Sequence, residues 1–416
     1  MRDIHDITEI RVSDKHLTAR TVAFVLALVL AVGAIAFGVS RIGAKEPGWY
    51  DVEAAGDDET VLFGRALRFR YRFQGSSAAI NAELRVLQGA YSAALKRCAE
   101  LLEPEERYHG VVNLASLNHS LGETLTVDPA LFAVLTEALA LTERGEGYSL
   151  FAGGLYAEWD SIRYLDEPQP FDPLENPDEA RRLETLAQLA RRPGAFSLTV
   201  VDAETCALRL DADAAARTAL EELELLGCIL DLNLLRDAFL LRMLAGELEQ
   251  QGYTEGYLSA ENGLSLALSG MEAITVGLSG LGDRGPESAA LLPLEAGRAC
   301  CAVHAFPTAA LGYGRYQLTD AAGRTVYRHP WLASDGAFPG VLLSAALLGE
   351  DPVDVCYDAL RLFACETPEA VEALASALPE AAAWTLDGEA RLVHFNAGAA
   401  EAGLEADANY GWSPAA

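Results

Sequence analysis

Cations are scarce in this sequence. Its 416 residues carry 31 lysines and arginines against 61 aspartates and glutamates, a formal net charge of −30. A field of that sign repels phosphate backbones, which argues against nucleic acid as a partner. Metal-type cysteine spacing is absent too. The seven cysteines, Cys98, Cys206, Cys228, Cys300, Cys301, Cys356 and Cys365, are odd in number and form no CxxC. Neither a zinc cluster nor a dense disulfide framework follows from such a set. Vicinal Cys300-Cys301 reads as two small buried residues of a strand. No cysteine precedes Cys98, so a lipoprotein anchor is excluded. There is no internal repeat. What the chain has in quantity is apolar: 51% hydrophobic residues against 22% charged. That is enough to build a core and too much for a chain disordered as a whole.

One charge-free run stands at the N-terminus. Residues 21–40, TVAFVLALVLAVGAIAFGVS, have the length needed to cross a hydrocarbon core of about 30 Å. Arg2, Arg11, Lys15 and Arg20 precede the run, and only Arg41 and Lys45 closely follow it. This basic excess places the N-terminus inside and the rest outside. A cleaved signal peptide competes with that reading, but its apolar region would span about 7–15 residues before a small-residue cleavage site. This run is longer and lacks a clear site, so an uncleaved anchor is expected. The division that follows is a cytoplasmic segment 1–20, a transmembrane anchor 21–40, a tether 41–57, a globular domain 58–400 and a tail 401–416. The expected location is the cell membrane, single-pass, with the globular part extracytoplasmic.

Beyond the tether, Leu62 to Phe73 alternates in character and reads as a strand. Apolar residues three and four apart predict a helix from Ala78 to Leu102, stopped by Pro104. Asp128-Pro129 opens another helix, with Asp as N-cap and Pro at the first helical position. Residues 166–177 carry four prolines and read as a loop. A hairpin is expected over 196–203 and 206–211, then a helix over 212–225. A long amphipathic helix is expected over 231–251. Strands are expected over 256–269, 299–306, 315–318, 326–328 and 391–395, and helices over 353–365 and 367–378, the last opened by a Thr-Pro cap. Antiparallel-looking strands mixed with separate helices predict an α+β fold.

A series of short motifs then carries a family resemblance over residues 60–395. Phe63-Gly64-Arg65, Ala115-Ser116-Leu117-Asn118 and Val127-Asp128-Pro129 occur in that order. After them come Gly145-Glu146-Gly147-Tyr148-Ser149-Leu150, with Trp159 downstream, and Asp231-Leu232-Asn233-Leu234-Leu235-Arg236-Asp237-Ala238. Ser259-Ala260-Glu261-Asn262-Gly263, then Tyr327-Arg328-His329 with Asp335-Gly336, and finally Asp354 and Asp358 complete the series. In order and spacing these resemble the motifs of the FAD:protein FMN transferases, the ApbE-like flavin transferase family. The departures are specific. The family's Met-Gly-Thr is Phe63-Gly64-Arg65. Its Asp-Pro pair is Ser149-Leu150. Its central Asp-Leu-Gly-Gly-x-x-Lys-Gly keeps Asp231 and Leu232 but has Asn233, Leu234, Asp237 and Ala238 for the glycines and lysine. Its Asn-Ala-Gly-Gly-Asp has Glu261 and Asn262 for the glycine pair.

The resemblance implies an ApbE-like flavin transferase fold behind one transmembrane helix. It implies magnesium-dependent transfer of FMN from the substrate FAD to a Ser or Thr hydroxyl of a flavin-accepting target protein. Carried over position by position, it places Gly147, Tyr148, Ser149, Asp231, Asp237, Asn262, Gly263 and His329 at the flavin nucleotide. Asp354 and Asp358 become magnesium ligands, with His329 and Asp354 as catalytic candidates. Phosphoryl transfer needs charge neutralisation on the pyrophosphate and a proton acceptor. Two carboxylates one helical turn apart can share an oxygen-seeking cation; equally, they can be a solvated helix face. His329 can contact phosphates or simply pack beside Pro330. Asp231 can cap a helix, and Tyr148 can line a ring pocket or fill core. The replacements bear on activity. Glycines let backbone N–H groups approach a cofactor; Leu234, Glu261 and Asn262 add bulk there, and Asp237 puts an acid where the family has a cation. Two readings therefore stand: a divergent FMN transferase, or a non-catalytic membrane-anchored homologue acting as a binding or assembly factor.

Overall fold

Asp57 decides where the first helix after the tether starts. Its carboxylate accepts the Thr60 N–H at 2.9 Å and the Thr60 hydroxyl as well. The chain therefore turns helical over Asp58–Arg65, and the strand that follows is confined to Leu67–Phe73. The strand expected from Leu62 is shortened for this reason: a satisfied N-cap outweighs five residues of alternation.

The computed structural model describes residues 22, 24–28, 31–32, 45–145, 147–163, 165, 167–282, 285–306, 316–319, 322–323, 325–330, 333–337, 339–378, 382–387, 391–395, 405–406 and 411–414. The chain divides into two units, residues 1–48 with 73–83 and residues 49–72 with 84–416. In the first, the Lys45 N–H donates to Ser77 Oγ at 2.9 Å. Most of the expected anchor lies outside the described residues. Those described there, 22, 24–28 and 31–32, are helical and exposed. Among the described residues no helix is long and apolar enough to cross a membrane.

In chain order the elements are β1 Gly48–Asp51, α1 Asp58–Arg65, β2 Leu67–Phe73, α2 Ser77–Leu102, α3 Leu114–Asn118, β3 Thr124–Thr126, α4 Pro129–Glu143, α5 Gly153–Arg163 and α6 Pro177–Arg191. Then come β4 Phe196–Asp202, β5 Ala207–Ala212, α7 Ala214–Glu222, α8 Arg236–Gln250, β6 Gly256–Ala260, β7 Leu264–Ala267, β8 Ile274–Gly282, β9 Gly285–Leu294 and β10 Ala299–His304. Last are β11 Tyr316–Thr319, β12 Thr325–Arg328, β13 Leu342–Gly349, α9 Pro352–Phe363, α10 Pro368–Ala377, β14 Ala382–Asp387, β15 Arg391–Phe395, β16 Glu405–Ala406 and β17 Gly411–Pro414. Among these residues a nine-stranded sheet runs β1-β2-β6-β7-β10-β13-β14-β15-β17. It is antiparallel from β2 to β15 and parallel between β15 and β17. Smaller sheets are β3-β5-β4, β16-β9-β8 and β11-β12. Helices and antiparallel strands segregate as an α+β fold does.

The single strand expected over 256–269 is two strands. The chain reverses at Glu261–Gly263, where Gly263 has φ +91° and Asn262 Oδ1 accepts the Leu264 N–H at 3.0 Å. The helix expected from Asp231 starts later. Residues Asn233–Leu235 form a 3-10 turn and α8 follows from Arg236. The β8–β9 hairpin covers one face of the central sheet, burying Leu278, Leu292 and Leu294 against Cys300, Ala302, Ala346 and Leu348. Helix α9 packs on β10 and β13. Successive residues of a strand face opposite ways. Cys300 accordingly enters the hairpin core, while the Cys301 thiol meets Cys356 of α9.

Candidate functional site

Segments far apart in sequence converge on one pocket of about 110 Å³. The loop 147–152 after α4 forms one wall, with the first turn of α5 and the end of α6 beside it; Asn233–Leu235, Pro330 and the outer half of α9 close it. Gly145 and Gly147 have φ +72° and +97°, so the chain can reverse tightly after α4. The loop is then fastened by hydrogen bonds. Ser149 Oγ donates to the Ala190 carbonyl at 2.9 Å, the Leu150 N–H donates to Thr142 Oγ1 at 2.8 Å, and the Asp231 N–H donates to the Leu150 carbonyl at 3.0 Å.

Asn233 is central to this arrangement. It takes φ +56°, a left-handed conformation that asparagine tolerates better than other side-chain-bearing residues. A glycine could take the same backbone path. Asp231 Oδ1 accepts the Asn233 N–H at 2.7 Å, so Asp231 caps a turn ahead of α8 and not the α-helix itself. Asn233 Nδ2 donates to the Ser149 carbonyl at 3.3 Å and the Asp231 carbonyl at 3.2 Å. Burial raises the Asp231 carboxyl to about 6, against the pull of the Asn233 N–H and Arg236. Next in line, Leu234 lines the pocket and is 5% exposed. It occupies space that glycine would leave open.

The expected site residues separate into two groups. Gly147, Tyr148 and Ser149 line the pocket. Tyr148 meets Tyr357 edge-on at 6.4 Å between centroids, and burial pushes its phenol well above the usual range. Asp231, Asp237, Asn262, Gly263, His329, Asp354 and Asp358 are not among the residues that line it. Asp237 is buried in α8, where burial raises its carboxyl to about 6, opposed by Arg236 and reinforced by Glu261. Asn262 Nδ2 donates to the Leu234 carbonyl at 3.4 Å, behind the pocket wall. Gly263 serves the fold: a Cβ there would stand 2.0 Å from the Ala302 carbonyl oxygen. His329 is buried and packs edge-on against Phe363 at 6.4 Å. Its loop is held by a neighbour. Arg328 pairs with fully buried Asp172 through Nε–Oδ1 at 2.9 Å and a second Nη2–Oδ2 bond. Gly336 fits where a Cβ would meet the Arg328 Cβ at 2.7 Å, and Trp159 Nε1 donates to the Ser334 carbonyl at 3.0 Å.

The residue types of a magnesium site are present on α9, but their surroundings do not suit one. Asp354 is exposed. Asp358 Oδ1 accepts a hydrogen bond from Arg361 Nη1 at 2.8 Å, with both side chains mostly buried. The guanidinium already supplies the positive charge that a divalent ion would bring, and it repels a second one. Among the described residues no group of three or more His, Cys, Asp or Glu side chains comes together to hold a metal. Arg361, Tyr357, Arg191 and Asn233 are the pocket residues that sequence reasoning missed. Only Asn233 carried a signal, as the residue best able to replace a left-handed glycine.

The fold has relatives of known structure. It is similar to the ApbE protein of Thermotoga maritima, at 12% identity and a TM-score of 0.52, over 87% of this chain and 97% of that chain. It is also similar to the flavin transferase ApbE from Vibrio cholerae, at 13% identity and a TM-score of 0.51, over 82% of this chain and 93% of that chain. No protein-family model and no curated protein sequence matches the chain. At these identities the likeness is one of fold: the chain has an ApbE-like fold.

Proposed function

We propose that the chain is a membrane-anchored, non-catalytic homologue of the flavin transferases that uses the ApbE-like scaffold for binding or assembly. The observation that carries this reading is the Asp358–Arg361 ion pair on α9. It neutralises one of the two carboxylates that the resemblance assigns to magnesium. Pocket size supports the same reading. Small-molecule sites commonly enclose roughly 300–1,000 Å³, whereas the pocket here has about 110 Å³. Leu234 narrows the pocket at a position where the resemblance has glycine. The anchor itself rests on the charge-free run 21–40 and its basic flank.

The test combines the full chain, FAD, magnesium and an acceptor domain carrying the family's Ser/Thr target, followed by in-gel flavin fluorescence. No fluorescent acceptor band is expected. Millimolar magnesium is also expected to leave the melting temperature unchanged, because a ligand that binds the native state stabilises it by mass action. A band that disappears in Asp354→Ala overturns the proposal and restores the transferase reading. One observation favours that second reading: Asn233, at a position where the resemblance has glycine, takes the left-handed φ +56° that glycine adopts readily.

A further inference from the structure

The pocket departs sharply from the charge of the chain around it. Acids outnumber bases by 61 to 31 over the sequence, yet none of the residues lining the pocket is acidic, and its two charged lining residues are Arg191 and Arg361, the latter paired with Asp358 behind the lining. A third guanidinium stands close by. Arg144 and Arg361 both lie over the ring of Tyr357, at 5.9 and 5.4 Å from its centroid, and Tyr357 forms part of the wall. Away from these groups the lining is apolar, from Leu155, Leu234, Pro330 and Leu360 among others. Two polar atoms of lining residues, Tyr148 Oη and Asn233 Oδ1, are buried without a hydrogen-bond partner. Both amide hydrogens' worth of Asn233 is committed to carbonyls, so Oδ1 is an acceptor left over. Buried polar atoms of this kind ask for a partner group.

We infer that this pocket binds a single aromatic ring carrying one anionic group, a carboxylate or a phosphate monoester, without a metal ion. Size limits the ring count. An engineered cavity of about 150 Å³ holds benzene, so a pocket of about 110 Å³ with exposed Arg191 in its lining takes one ring with its charged group toward that arginine. Asp358 answers only one of these guanidiniums, so the site keeps net positive charge, and exposed Arg191 offers the planar fork of donors that matches carboxylate and phosphate oxygens. A hydroxyl on the ring would give Tyr148 and Asn233 the partner they lack. The inference rests on the reading that Arg361 stands in the place of a metal; it names a ligand class for the same site.

The experiment is calorimetric titration of the full chain, kept in mild detergent and EDTA, with 4-hydroxybenzoate, phenyl phosphate, phenol and riboflavin. At least one of the two anions is expected to bind at least about tenfold more tightly than phenol, and which one does so separates carboxylate from phosphate chemistry. Riboflavin, neutral and with three fused rings, is expected not to bind. Arg191→Gln, at an exposed position on α6, is expected to weaken the anion about two- to fivefold, as befits a rim charge, and to leave phenol unchanged. Arg361→Gln should weaken it more; should that variant not fold, the Arg191 variant still decides. The inference is overturned if neither anion binds at ~10 mM, if phenol binds as well as they do, if riboflavin binds more tightly, or if binding requires magnesium. None of these results depends on flavin transfer, so the ligand class and the non-catalytic reading fail separately.

Discussion

Removing the Asp172 carboxylate should loosen the loop that completes the pocket. Asp172 is fully buried and Arg328 is 9% exposed, and the two meet through paired donors and acceptors. Asp172→Ala strands a guanidinium in the interior with no carboxylate to answer it. Breaking a buried pair from one side costs about 3–5 kcal/mol. In a domain of this size each kcal/mol moves the melting temperature by roughly 2 °C, so a fall of about 6–10 °C is expected. The measurement is thermal unfolding of the full chain followed by circular dichroism. Replacing both residues, Asp172→Leu with Arg328→Met, should recover most of the loss, because the penalty lies in the unpaired charge and not in the missing pair. Pro330 and the backbone around Gly336 follow Arg328 directly, so Asp172→Ala should also weaken any ligand of the pocket. A fall of less than about 2 °C, or a double variant no better than the single one, would refute the reasoning.

Further outcomes follow from particular groups. Burial raises Asp237 from its ordinary 3.8 to about 6. A carboxyl raised on folding contributes stability that is full below its unfolded value and lost as pH rises through its folded one. Asp237→Asn should therefore flatten the pH dependence of unfolding stability between pH 4 and pH 6 relative to wild type and raise stability at pH 7 by up to about 3 kcal/mol; an unchanged pH profile counts against the assignment. Gly263→Ala sets a Cβ 2.0 Å from the Ala302 carbonyl oxygen at φ +91° and should cost at least about 2 kcal/mol in denaturant unfolding. Asn233→Ala loses two hydrogen bonds and keeps a left-handed backbone, so about 1–2 kcal/mol should be lost from the backbone alone, with Asn233→Gly milder. For topology, the chain should sediment with membranes, and protease outside them should cut beyond residue 45; protection of that region reverses the orientation.

How much of this was legible beforehand follows from the kind of signal each element carries. Helices with a cap and a single apolar stripe announced themselves: α2, α4, α9 and α10 lie within a residue or two of expectation, because Asp128, Thr367 and the prolines after them act locally. Strands buried on both sides announced themselves unevenly: β10 lies where a strand was expected, and β13 was missed. β13, LLSAALLG, has neither the alternation of a half-exposed strand nor the length of a helix, since it lies between β10 and β14 with α9 packed on it. The site was legible in part for a related reason. Motif order named Tyr148, Ser149 and the Asp231 turn together, and the structure joins them through the Asp231 N–H to the Leu150 carbonyl and Asn233 Nδ2 to the Ser149 carbonyl. Motif order could not separate roles among them. Asp358 reads as a metal ligand until Arg361, three residues on, is seen to occupy it, and such a pair is as common on a plain helix surface. Leu234 reads as a lost glycine, and only the structure shows that Asn233 beside it takes a left-handed φ of +56°, a conformation that no periodicity in the sequence signals.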